Sequence, residues 1–159
     1  METANKELHR ISITGIIYRP REDGVREYLI TRRALTKKAF PGKWTVPGGG
    51  LSTDDYVNTP KTIGTQWYNA VEKALKREIK EETSLEVDDV AYLLDIAHIL
   101  PDGVPSIILS FYCRYVSGEV KLDKDNIDYK WVTAEEAKKY DLIDGILEEI
   151  KMVDAALSA

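Results

Sequence analysis

Six consecutive residues, Arg77-Glu78-Ile79-Lys80-Glu81-Glu82, concentrate the ionisable chemistry of this 159-residue chain. The segment 65–84 has helical periodicity. Stepping about 100° per residue from Trp67 places Val71, Ala74 and Leu75 on one apolar stripe. Glu78, Glu81 and Glu82 fall on that same stripe, whereas Glu72, Lys73, Lys76 and Lys80 form a separate polar side. Three carboxylates turned inward repel one another and resist ionisation. A hard divalent cation such as Mg²⁺, which takes oxygen ligands, removes the conflict. The competing reading is a helix end that runs past the core into water. Arg77 stands four residues before Glu81, so it forms either an ordinary surface pair or a brace that orients a metal-binding carboxylate.

Upstream, Pro47-Gly48-Gly49-Gly50 follows a short apolar stretch. Such a triplet is either a plain turn or a stretch of bare backbone that a phosphate or metal can approach. Phe40, Trp44, Tyr112 and Trp131 are aromatic candidates for stacking on a base, and each also suits a core.

These residues need a scaffold, and the patterning supplies one. Apolar or alternating runs predict strands over 11–18, 27–32, 44–47, 90–100, 104–116 and 129–132. Turns are expected at 20–24 and 101–103, and a long polar loop at 51–64. Thr133 caps a helix, with Glu136 completing a capping box. A last helix is expected over 143–157. There is no repeat, low-complexity tract or linker, so one domain spans 1–159. Several strands with few helices predict an α/β fold, a mixed sheet with helices on its faces.

Gly49, Arg77-Glu78-Ile79-Lys80-Glu81-Glu82 and Leu85 resemble the Nudix box, G-x5-E-x7-R-E-U-x-E-E-x-G-U with U aliphatic. Trp44-Thr45-Val46-Pro47-Gly48-Gly49 and Trp131-Val132 resemble the segments around that box, so the likeness covers nearly the whole chain. It implies a Nudix-like α/β/α sandwich around a mixed β-sheet. It also implies pyrophosphohydrolase activity on a nucleoside diphosphate linked to another group, such as a nucleoside triphosphate or nucleotide sugar, with Mg²⁺ or Mn²⁺. Glu78, Glu81 and Glu82, with a carbonyl of Gly48 or Gly49, would hold the metal. Asp125, preferred over Asp128, would add a further acid from the loop before Trp131. Glu78 or that loop acid would take the proton from water, with Arg77 beside it. Phe40, Trp44, Gly49, Gly50 and Trp131 would contact the nucleotide. Arg32, Arg33, Lys37, Lys38 and Lys43 would meet distal phosphates or form a solvated connection.

Three positions depart from the box. Counted back from Arg77, its Glu falls on Asn69. Ser84 replaces its second glycine, a substitution that suits a helix end without a positive φ. The span from Gly49 to Asn69 carries fourteen extra residues, placed at 51–64, where both anchors lie at the site and the loop could act as a lid. The missing carboxylate at Asn69 keeps an alternative open: a nucleotide-binding or regulatory protein with little activity.

Composition narrows the classes. Lys and Arg number 22 against 27 Asp and Glu, a net charge of −5. That balance opposes general polyanion binding, so a stable nucleic-acid partner is not expected; a small nucleotide is the partner that the resemblance implies. A homodimer is left open. Cys113 is expected to be a buried inert thiol. There is no G-x-S-x-G or Walker A motif, and His9 and His98 have no metal-like spacing. No apolar run reaches membrane length and the polar stretch 1–10 lacks a signal sequence, so the expected compartment is cytoplasmic.

Overall fold

Strand β1 (Arg10–Pro20) runs through the centre of the sheet, and its alternation decides what each face buries. The structure is a computed structural model that describes residues 6–159. Residues 1–5 of the polar N-terminal stretch lie outside it. Ile13 and Ile17 join Leu29, Ala74, Leu75 and Ile79 in one core. Ile16 joins Tyr28, Ile30, Val132, Ile150 and Val153 in another. Helix α1 (Ala70–Thr83) therefore covers one face, while α2 (Ala134–Ala137) and α3 (Ile146–Ser158) cover the other. This is the expected α/β/α sandwich.

β2 (Arg26–Arg33) pairs antiparallel with β1, and β6 (Pro105–Ser117) pairs parallel with it, so the sheet is mixed. The path runs β3 (Trp44–Thr45), β2, β1, β6, β5 (Glu86–Ile99). β7 (Asn126–Val132) adds to β2, and β4 (Gly48–Gly50) adds to β1. The glycine triplet is thus a short strand, with Ile13 opposite Gly49 and Thr14 opposite Gly48. Gly15 sits under α1. A Cβ there would stand 3.0 Å from Ile79 Cδ1 and 3.2 Å from Leu75 Cδ1, so its absence lets the helix lie close to β1.

β5 and β7 begin earlier than their apolar runs suggest, because ladder pairing carries polar residues into them. Thr133 and Glu136 form the expected capping box. The larger difference lies before α1, which starts at Ala70 rather than near residue 65. The preceding segment is a folded unit, not a bare loop. Ser52 and Asp55 close a capping box around the 3-10 turn Thr53–Asp55. The Tyr56 and Trp67 rings lie 5.3 Å apart, and the Trp67 indole N–H donates to the Thr59 carbonyl at 2.9 Å. Asn69 then takes a left-handed conformation, φ 58°, just before the helix. Among the described residues no helix is long and apolar enough to cross a membrane.

Candidate active site

The docking of α1 decides which acids face inward. Its buried residues are Ala74, Leu75, Ile79 and Thr83. On the wheel started at Trp67, the last three place the buried arc near 120° rather than near zero. Trp67 lies outside the helix, which is why the stripe expected from it is off-centre. The correction separates the three glutamates. Glu82 sits beside the arc and Glu78 at its edge with a side chain 15% exposed, whereas Glu81 is 58% exposed and points away. Glu81, expected among the metal ligands, accepts from Arg77 Nη1 at 2.9 Å, as Glu78 does from Nη2.

Glu78 and Glu82 meet the glycine strand. The Gly48 N–H donates to Glu82 Oε2 at 3.3 Å. A Cβ on Gly49 would collide with the Glu78 carboxyl, so that position must be bare for the carboxylate to lie against β4. Burial pushes the Glu82 carboxyl up to about 8; the Gly48 N–H opposes this, and the charges of Asp123, Glu78 and Asp125 add to it. Burial also raises Glu78, against the pull of Arg77.

These groups border a cavity of about 350 Å³ whose lining includes Gly48, Gly49, Glu78, Glu82 and Asp125, together with Arg33 and Lys37. Asp125 is therefore at the site. Its carbonyl accepts the Ala34 N–H at 2.9 Å and its carboxylate stands 3.5 Å from Lys37 Nζ. Asp128 is not; its carboxylate accepts the N–H of Tyr129. Among the described residues no three acidic, imidazole or thiol side chains already converge as a ligand set. The donors nevertheless suit a hard cation: they are all oxygen, and two are carboxylates whose ionisation the fold resists until a positive charge arrives.

Arg77 holds a network that the sequence only half shows. Its Nε donates to Asp55 Oδ1 at 2.5 Å and its Nη2 to Glu78 Oε1 at 2.9 Å. Asp55 also accepts the Ser52 N–H at 2.8 Å, and its side chain is 3% exposed. Burial alone would raise this carboxyl, but the Ser52 N–H and the Arg77 guanidinium hold it below its ordinary value. Five residues separate Gly49 from Asp55, the spacing of the Nudix box from glycine to Glu. An acid thus occupies that slot when it is counted forward from Gly49. The additional residues then fall at 56–69, after the acid, rather than at 51–64. The forward spacing was the available signal, and counting back from Arg77 missed it. None of residues 51–69 lines the cavity, so the lid expected there makes no contact with it.

Ser84 does take a positive φ, 65°, contrary to the expectation for a non-glycine residue; its N–H donates to the Lys80 carbonyl at 2.9 Å and closes the helix.

Several expected substrate contacts lie elsewhere. Trp44 is buried, edge-on to Tyr140 with ring centres 5.0 Å apart. Trp131 lies under the Arg19 guanidinium at 3.8 Å and beside Tyr115, on the α1 face of the sheet. Tyr112 packs near Tyr18. Phe40 is exposed and does not line the cavity. Arg32 donates to the Gly42 carbonyl at 3.0 Å, leaving its neighbour Arg33 at the cavity. Gly50 ends β4 opposite Ser12, outside the lining. The residues that do line it from β1 and β6, Ser12, Thr14 and Ile108, carry no recognisable motif; strand register alone brings them there.

The glycine strand, the two inward glutamates and the clamped arginine come together at one cavity of an α/β/α sandwich. The NUDIX domain family model matches residues 8–151. The chain belongs to that family. It is 30% identical over 132 residues to nucleoside triphosphatase NudI of Klebsiella pneumoniae, covering 72% of this chain and 79% of that one. Among solved structures, the MutT protein of Methanosarcina mazei Go1 has TM-score 0.68 at 24% identity, covering 98% of this chain and all of that one. The NUDIX domain of Shewanella oneidensis NrtR, complexed with ADP ribose, has TM-score 0.70 at 16% identity, covering 95% and 90%. These two likenesses describe the fold alone.

Proposed function

We propose that this protein hydrolyses a phosphoanhydride bond of a nucleoside triphosphate, with Mg²⁺ or Mn²⁺ as cofactor. The observation that carries the reading is the contact of Glu78 and Glu82 with the Gly48-Gly49 strand at one cavity. The nucleoside triphosphatase relatives favour a triphosphate over a nucleotide sugar. Glu78, Glu82, Asp125 and the backbone of Gly48 would hold the cation. When bound, the cation neutralises phosphate charge and lowers the pKa of water.

The protein supplies the rest. Glu78, oriented by Arg77 at the cavity, is placed to accept the proton as the water oxygen bonds to phosphorus and the anhydride P–O bond breaks. Arg77, gripped by Asp55, fixes the direction of Glu78. Ser12, Thr14 and Ile108 offer a mixed polar and apolar surface to the nucleoside. The acid at Asp55 weakens the alternative of an inactive nucleotide-binding protein, which rested on Asn69. A single cysteine, buried with its thiol pushed up to about 12 by desolvation, agrees with a cytoplasmic setting.

The test is release of phosphate or pyrophosphate from a panel of nucleoside triphosphates with Mg²⁺, against an EDTA control. Metal-dependent release that disappears in Glu82→Gln is expected. A protein that binds these nucleotides and releases nothing overturns the reading.

A further inference from the structure

The site cavity adjoins a second groove, and the two share Arg33, Lys37 and Asp125. The groove adds Lys38 from the β2–β3 connection and Lys124 from the loop before β7. Four cations therefore face one carboxylate, in a chain whose net charge is −5. Four like charges in one groove repel one another, and an anion lying along them relieves that repulsion.

The groove is built, not a loose basic tail. Arg33 Nε donates to the Ala39 carbonyl at 2.8 Å, and the Gly42 N–H returns to the Arg33 carbonyl at 3.1 Å. The Ala34 N–H to Asp125 carbonyl bond ties the two loops together. Lys37 is engaged by Asp125, but among the described residues Lys38 and Lys124 pair with no carboxylate. The other two cations of this segment are committed elsewhere, Arg32 to the Gly42 carbonyl and Lys43 to Asp141 at 2.7 Å. The carboxylates of Glu78 and Glu82 line the site cavity, and the unpaired ammonium groups of Lys38 and Lys124 line the groove that adjoins it.

We infer that the Arg33–Lys37–Lys38–Lys124 groove is a subsite for the outer phosphates of the substrate. It thereby selects substrates whose end remote from the nucleoside is anionic over those ending in a neutral sugar. This rests on the proposed hydrolase reading for its meaning, but not for its test. The lysines act as point charges toward phosphate oxygens, and Arg33 as a planar donor.

The experiment measures binding of inorganic tripolyphosphate to the full chain by calorimetry in EDTA, where hydrolysis is absent and the acidic cavity repels the probe. Wild-type protein should bind it, and the double variant Lys38→Met/Lys124→Met should bind at least about tenfold more weakly. Lys139→Met, on an exposed position away from the groove, should bind as wild type. A second arm compares kcat/KM with Mg²⁺: the double variant should lose about tenfold on a nucleoside triphosphate and less than about twofold on a nucleotide sugar. Unchanged tripolyphosphate affinity in the double variant, or no binding by wild type, overturns the groove, whatever the hydrolysis shows. Binding that is lost as expected in a protein without hydrolytic activity upholds the groove and sinks the hydrolase reading instead.

Discussion

Replacing Glu82 by Gln should stabilise the metal-free protein while removing its activity. The carboxyl ordinarily titrates at 4.5 and in the fold at about 8, because it is desolvated and faces Asp123, Glu78 and Asp125. The sign follows from linkage: a raised folded pKa leaves stability intact below pH 4.5 and erodes it as the pH climbs toward about 8. Each pH unit in that window costs about 1.4 kcal/mol, so at pH 7 the ceiling is about 3 kcal/mol. Glutamine keeps an oxygen for the Gly48 N–H and has no charge to bury. For a domain of this size, about 3 kcal/mol corresponds to a rise in Tm of roughly 6–12 °C. Thermal melts in EDTA at pH 7 should show a rise up to that limit, and melts at pH 4.5 almost none. Adding Mg²⁺ should then raise the Tm of the wild type and not of the variant. A lower Tm for Glu82→Gln at pH 7, or the same difference at both pH values, would refute the claim that this carboxylate is held ready for a cation.

Asp55→Ala removes the buried grip on Arg77 and should lower kcat about tenfold, whereas Asn69→Glu should change it less than about twofold; steady-state kinetics on both variants decide which position serves the box. Ser84→Gly relieves a left-handed serine at the end of α1 and should add roughly 0.5–1 kcal/mol in urea denaturation; a loss would mean that the Ser84 Oγ contact with the Lys121 carbonyl outweighs the strain. Glu149 is buried against Ser110 Oγ at 2.5 Å, and its carboxyl is raised by burial, so stability is fullest at low pH and falls as the pH rises. Glu149→Gln should therefore raise the Tm more at pH 8 than at pH 4, and an equal change at both would contradict that.

Much of the site was legible because it is local. The Arg77–Glu82 run and the Thr133–Glu136 cap are short-range patterns, and each lies in the expected element, whereas the glycine triplet forms a short strand in place of the expected turn or open loop. Glu78, Glu82, Gly48, Gly49 and Asp125 all border the cavity. The misplacements have one origin: a residue's face depends on where its element docks. Trp44 and Trp131 are aromatic in a way that suits stacking on a base or filling a core, and only the strand pairing of β3 and β7 assigns them to packing.

By itself, then, the sequence determined most of the elements, the family and the chemical character of the helix, since these follow from spacing along the chain. Only the tertiary structure decided that Glu81 turns outward to Arg77, because the buried arc of α1 is set by Leu75, Ile79 and Thr83 against the sheet and not by helical period alone. It also decided that Asp55 reaches Arg77 across a folded insertion, and that Lys124 joins Arg33 and Lys38 along one groove. The last two join residues far apart in sequence, so spacing along the chain does not by itself bring them into contact.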